Sequence, residues 1–148
     1  MSAMRLQIRI VAVLLATSFL AFGYKTETLQ ELMAREEAAK VEDRPALCAE
    51  IAERQLKAAD ELFTAGKVEE AQAAVKDIVI YSEKAHDAAI QSGKKIKNTE
   101  IDFRKMAAKL RDIKRSLNFE DQAPVQAAAD RLESLRTDLL SHMFSKGK

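Results

Sequence analysis

Apolar and small residues recur along the middle of the chain at alternating steps of three and four. No proline and a single internal glycine interrupt this row between Gly66 and Leu117. This spacing is typical of α-helices that bury one side against other helices, and it predicts an all-α fold. The row consists of Val68, Ala71, Val75, Ile78, Ser82, Ala85, Ala89, Ser92, Ile96, Thr99, Phe103, Met106, Leu110, Ile113 and Leu117.

The row leaves two arrangements open around Gly93. Weak helix formers cluster there, because Ser92 and Gly93 are followed by Asn98 and Thr99, and they favour two helices broken near Gly93 in a closed four-helix bundle. The row nevertheless passes through without a phase shift, which favours one continuous helix over residues 67–118. We therefore expect the continuous helix. It would leave apolar surface uncovered on each half, so a homodimer is also expected.

The flanking segments predict helices that fold back as antiparallel hairpins. One runs from Pro45 to Ala65, with Gly66 suited to the left-handed position after the helix end. Gln55 interrupts its apolar side, which predicts a buried amide bonded to a neighbouring helix. The last helix is predicted to open at Pro124, after a turn over residues 118–123.

The join between the first two of these helices resembles the helix-turn-helix join of a tetratricopeptide repeat. The resemblance covers about twenty residues, and 34 residues after Gly66 stands Glu100, with no second copy following. It implies a helical hairpin and no peptide-binding groove. The residues that carry it are Ala59, Leu62, Phe63, Gly66, Val68, Glu69, Glu70, Ala71 and Val75.

The N-terminus has the pattern of an export signal. Arg5 and Arg9 precede an apolar run over residues 10–22, and Ala21 and Gly23 stand where small residues precede a cleavage site. The run is 13 residues long, which is shorter than the roughly 20 residues that a spanning helix needs. We therefore expect cleavage after Gly23, with an uncleaved membrane anchor as the alternative.

These patterns divide the chain into three parts. Residues 1–23 form the signal peptide or anchor, residues 24–43 a short helix or spacer, and residues 44–145 the helical bundle domain. The expected location is outside the cytoplasm, either periplasmic or secreted. Contact with the inner membrane is expected only if the N-terminal segment stays attached.

Composition argues against a nucleic-acid partner and against an internal disulfide. The formal net charge is +1 in 148 residues, and no basic stripe with interleaved aromatic residues is present, so nucleic acid is not an expected partner. Cys48 is the single cysteine and cannot form an internal disulfide. Its place in the apolar half of its helix predicts a buried thiol.

Candidate chemistry is sparse. Glu83 and His86 have the Glu-x-x-His spacing of di-iron bundles, but Leu139 stands three residues before His142, so the required second pair is missing. A looser metal or haem site would combine His86, His142 and Met106. A half-exposed His86 and a helix-terminal His142 are favoured over either site. No cofactor is therefore expected.

The expected function is contact rather than catalysis. No nucleophile stands with a base, and no glycine-rich loop suits a phosphate, so an enzyme is not expected. Ile80 lies among charged residues and is the candidate contact for a protein partner. The sequence thus predicts an exported cell-envelope helical module for protein–protein interaction or self-association. The alternatives are a cofactor-binding bundle and a membrane-tethered, chaperone-like protein.

Overall fold

The computed structural model describes residues 27–145, which form five α-helices and no strand. The predicted all-α class is therefore confirmed. The predicted signal peptide lies outside the described residues. Within them, no helix combines the length and the apolar character that crossing a membrane requires. The helices are α1 (Leu29–Ala38), α2 (Arg44–Thr64), α3 (Val68–Ser92), α4 (Ile96–Arg115) and α5 (Phe119–Ser145).

Helices α2 to α5 form two hairpins packed on each other. The most extensive contacts join α2 to α3 and α4 to α5, and further contacts join α3 to α5 and α2 to α4. The apolar and small side chains that recur at steps of three and four fill the space between the hairpins, as the pattern predicted. The largest wholly buried members of this core include Ile78, Phe103, Leu110, Leu132 and Leu139.

The turn between α2 and α3 is built on Gly66. Its φ is +77°, its N–H bonds to the carbonyl of Phe63, and the N–H of Lys67 bonds to that of Leu62. This pair of bonds is the Schellman motif, in which glycine takes the left-handed position without a Cβ penalty. Gln55 then bonds across the hairpin, with Nε2 3.3 Å from Oδ2 of Asp77. Both features agree with the sequence prediction.

The chain breaks at Gly93, so the expected continuous helix over residues 67–118 is wrong and the alternative of two helices broken near Gly93 is confirmed. The φ angles of Gly93 and Lys95 are +67° and +62°, which no α-helix contains. The Ser92 hydroxyl donates to the carbonyl of Ala88 and accepts from the N–H of Lys94, so it closes the end of α3. Local hydrogen bonds thus decide where the helix ends. The three,four spacing of apolar positions continues unchanged across the break, because the turn over residues 93–95 takes up as many positions as three helical residues would.

The predicted start of the last helix at Pro124 is also wrong. Helix α5 begins at Phe119 and contains Pro124 in its second turn. Glu120 and Asp121 lie in the first turn, where acidic side chains stabilise the positive end of the helix dipole. Gln122 Nε2 donates to the carbonyl of Leu117 and closes the preceding turn. These local contacts offset the one backbone hydrogen bond that proline cannot donate.

Helix α1 is held on the bundle at both ends. Thr28 and Glu31 form a reciprocal capping box at its start, and Leu32 is wholly buried beneath it. Arg54 donates to a backbone carbonyl just before α1, and Arg44 donates to two carbonyls at its end. Residues 29–38 are therefore a docked helix, and α1 lies over the buried start of α2.

Candidate functional site

A polar cluster, which we call the His86 cluster, lies between α3 and α5. His86 Nε2 lies 2.6 Å from Asp138 Oδ2, and His86 Nδ1 lies 2.9 Å from Asp87 Oδ1. Glu83 Oε1 accepts a 2.9 Å hydrogen bond from Arg131 Nε. These residues line an open groove of about 320 Å³. The cluster is an electrostatic link between the two hairpins.

The metal candidates from the sequence are only partly brought together. His142 Nε2 lies 3.8 Å from Asp138 Oδ2, so both histidines approach one carboxylate oxygen. Glu83 is engaged by Arg131, however, and Met106 is buried in the core. Among residues 27–145, no group of three or more histidine, cysteine or acidic side chains is arranged to hold a metal ion. Asp138 is the member that sequence reasoning missed, because it lies 52 positions from His86.

A second feature is a buried carboxyl group between α1, α2 and α3. Glu36 is only 3% exposed, and its Oε1 lies 3.4 Å from the Cys48 sulfur, whose S–H donates to it. Its Oε2 lies 3.7 Å from Lys84 Nζ and has no hydrogen-bond partner. Burial, followed by the charge and the hydrogen bond of Glu36, raises the pKa of Cys48 to about 12. The thiol is therefore protonated and unreactive at neutral pH.

Large apolar side chains are exposed at three places in the described part of the chain. Phe119 is 87% exposed, Phe144 is 74% exposed and Ile80 is 49% exposed. Ile80 stands on the outer face of α3, as the sequence predicted. The two phenylalanines lie at opposite ends of α5 and were not identified from the sequence. The helical repeat could have predicted that they share one side of α5, because residues 25 positions apart lie on about the same side of a helix.

Comparisons with known proteins assign no family to the chain. No protein-family model, curated protein or solved structure matched it. The tetratricopeptide resemblance is thus confined to the turn at Gly66 and the small residues around it.

Proposed function

We propose that the protein is an exported helical module of the cell envelope that works by protein–protein contact, beginning with self-association through α5. The observation that carries this proposal is the placement of Phe119 and Phe144 on one outward side of α5. Most of their surface faces water in the isolated chain. Covering the two aromatic side chains in a contact removes this apolar surface from water, which stabilises the contact by about 25 cal/mol for each Å² covered.

The surface between the two phenylalanines suits a close helix contact. We call it the α5 outer face, and apart from one aspartate its intervening residues are small. Small side chains let two helix backbones approach closely, and the aromatic ends add apolar area. Every member of this face is exposed: Phe119, Ala123, Ala127, Asp130, Ser134, Thr137, Ser141 and Phe144.

An antiparallel pair of α5 helices uses this face most fully. A twofold axis at the middle of the helix places Phe119 of each copy beside Phe144 of the other. Such an isologous contact closes on itself and stops at a dimer. It also sets the two helices antiparallel, so that the positive end of each helix dipole lies beside the negative end of the other.

The size of the face sets the expected strength of association. Helix α5 has 27 residues, and at about 1.5 Å per residue it is about 40 Å long and about 10 Å wide. It can bury on the order of 400 Å² on each copy, or about 800 Å² in total. Stable interfaces bury about 1,200 Å² or more, so the expected dimer is weak and depends on concentration.

The decisive experiment measures the mass in solution of the protein recovered after export, by sedimentation from micromolar to millimolar concentration. We expect a reversible monomer–dimer equilibrium that is lost in the double variant Phe119→Ser/Phe144→Ser. Ile80→Ser is the matched control, because it removes the third exposed apolar side chain but leaves α5 unchanged. A monomer at every concentration, or a dimer that survives the double substitution, would refute the proposal.

Export rests on the N-terminal sequence alone. Arg5, Arg9 and the apolar run over residues 10–22 support it. The intact mass of the exported protein tests cleavage after Gly23. A mass that includes residues 1–23 would instead support the anchored form.

A further inference from the structure

Helix α1 rests on the bundle along a single line of contact. Among the five described helices it packs along its length against α2 alone, and its link to α3 is the ion pair of Glu36 with Lys84. Leu32 and Glu36 are the two residues of α1 that are buried. The cluster of core side chains that joins α2 to α5 contains no side chain of α1. Helix α1 is therefore an addition to the core of the other four helices and not a part of it.

Open grooves flank this line of contact on both sides. On one side, a groove of about 280 Å³ lies between α1 and α3, with Glu37 and Ala88 in its walls. On the other side, a groove of about 550 Å³ lies between the last turn of α1, the start of α2 and Lys95. A water molecule takes up about 30 Å³, so solvent can enter both grooves. Helix α1 thus lacks close-packed neighbours on either side, and dispersion contacts hold it only along the middle.

The buried carboxylate of Glu36 weakens the docking of α1. Glu36 is only 3% exposed, so its carboxylate has lost most of its hydration. Oε1 accepts from the Cys48 thiol, which is a weak donor, and Lys84 Nζ lies 3.7 Å from Oε2, beyond hydrogen-bond distance. A buried carboxylate with such incomplete pairing is costly. Docking of α1 therefore gains from burying Leu32 and loses from burying Glu36.

We propose that α1 is a strap that swings off α2 while helices α2 to α5 stay folded, and that this opening uncovers the thiol of Cys48. Cys48 is wholly buried in the closed structure, where its sulfur contacts Glu36 of α1. Elements held by few buried apolar contacts open locally at a lower free energy than the whole domain. The closed strap keeps the single cysteine of the chain away from disulfides in the surroundings, and the open strap presents it to them.

The strap acts independently of self-association, because α1 makes no packing contact with α5 among the described residues. Failure of the dimer proposed above would therefore leave the strap unaffected, and failure of the strap would leave the dimer unaffected.

Reaction of the native protein with the aromatic disulfide dithionitrobenzoate tests the opening. The thiolate of Cys48 attacks the reagent, a mixed disulfide forms on the protein, and thionitrobenzoate leaves, so its absorbance gives the rate. The rate is measured in increasing urea, well below the unfolding midpoint. The urea dependence of an opening scales with the surface that it exposes, so opening of α1 should show less than about one third of the slope for global unfolding.

Variants tie the opening to the named side chains. Leu32→Ala removes the main apolar contact of α1 and should speed the reaction at least about thirtyfold. Glu36→Met keeps a side chain of similar length, removes the buried charge and should slow the reaction about tenfold. Leu139→Ala is the matched control, because Leu139 is equally buried but lies in α5. It should lower the global stability and leave the rate within about twofold of the native protein.

Three results would overturn the strap. They are a urea slope equal to that of global unfolding, a Leu32→Ala variant that reacts at the native rate, and a Leu139→Ala variant that reacts as fast as Leu32→Ala. Faster reaction of Glu36→Met would overturn the loosening role of Glu36.

Discussion

The imidazole Nε2 of His86 and the carboxylate Oδ2 of Asp138 lie 2.6 Å apart and join two hairpins that the chain forms separately. His86 stands on α3 and Asp138 on α5. The other ring nitrogen of His86 contacts Asp87, its neighbour on the same helix. The two contacts of one imidazole therefore differ in kind, since only the first links distant parts of the chain.

Asp138→Asn is expected to lower the free energy of unfolding by about 1 kcal/mol, because it weakens a contact between hairpins. Asp87→Asn is the matched control and should change it by less than about half as much, because Asp87 contacts its sequence neighbour and joins no second helix. Urea unfolding at neutral pH measures both. Equal effects of the two substitutions would contradict a specific link between the hairpins.

The turn between α3 and α4 provides two substitutions of opposite sign. Gly93→Ala places a Cβ on a left-handed residue and should destabilise the protein by about 1 kcal/mol. Lys95→Gly relieves the same conformation and should be neutral or stabilising, by up to about 1 kcal/mol. Thermal unfolding of the two variants measures the difference.

A continuous helix would reverse both signs. Alanine at position 93 would then extend a helix, and glycine at position 95 would weaken one by about 1 kcal/mol. A Gly93→Ala variant that is more stable than the native protein would therefore support the continuous helix over residues 67–118.

The buried thiol of Cys48 makes stability depend on alkaline pH. Its pKa is about 12 in the folded protein, against 9.0 for an ordinary cysteine. Below pH 9 both states are protonated and the stabilisation is complete. As pH rises further, the unfolded state loses the proton first, so stability should fall by a little over 1 kcal/mol per pH unit until about pH 12.

Cys48→Ala isolates this contribution from other groups that titrate at high pH. Guanidinium unfolding of both proteins from about pH 9 to about pH 11 should show a shallower decline for the variant. Parallel declines would mean that Cys48 does not resist ionisation in the folded state.

An ion pair between α4 and α5 should be sensitive to removal of one partner. Arg136 Nε lies 2.7 Å from Oε1 of Glu100, whose side chain is buried. Arg136→Met leaves that carboxylate without its partner and should cost about 3 kcal/mol. Adding Glu100→Gln should recover much of this loss, since the unpaired charge is removed. Denaturant unfolding of the single and double variants gives both numbers.

An exposed pair serves as the control for this measurement. Arg115 and Asp112 form an ion pair on the surface of α4. Arg115→Met should change stability by less than about 0.5 kcal/mol. If it costs as much as Arg136→Met, burial of the Glu100 carboxylate is not the cause.

Local patterns predicted most of the fold. The left-handed Gly66, the buried Gln55 amide and the buried Cys48 follow from one helix and its flanking residues, and the structure contains all three. The break at Gly93 was misjudged because periodicity counts positions and does not distinguish a three-residue turn from three helical residues.

Features of the candidate sites depend on contacts that are distant in sequence. Asp138 reaches His86 across 52 positions, and Cys48 donates to Glu36 across 12. Glu36 stands between two other charged residues in the sequence, whereas in the fold it is buried. Such pairings follow from how the helices pack, which the spacing within each helix does not determine.

The spacing of apolar positions is the same before and after Gly93, and this has a further consequence. If the residues between Ser92 and Ile96 straightened, α3 and α4 would join into one rod with the same side chains on its inner side. The two hairpins would separate, and two chains could then exchange their α4–α5 halves and complete each other's cores. Domain swapping is therefore open to this protein through a change at only a few residues, without any repacking of the core.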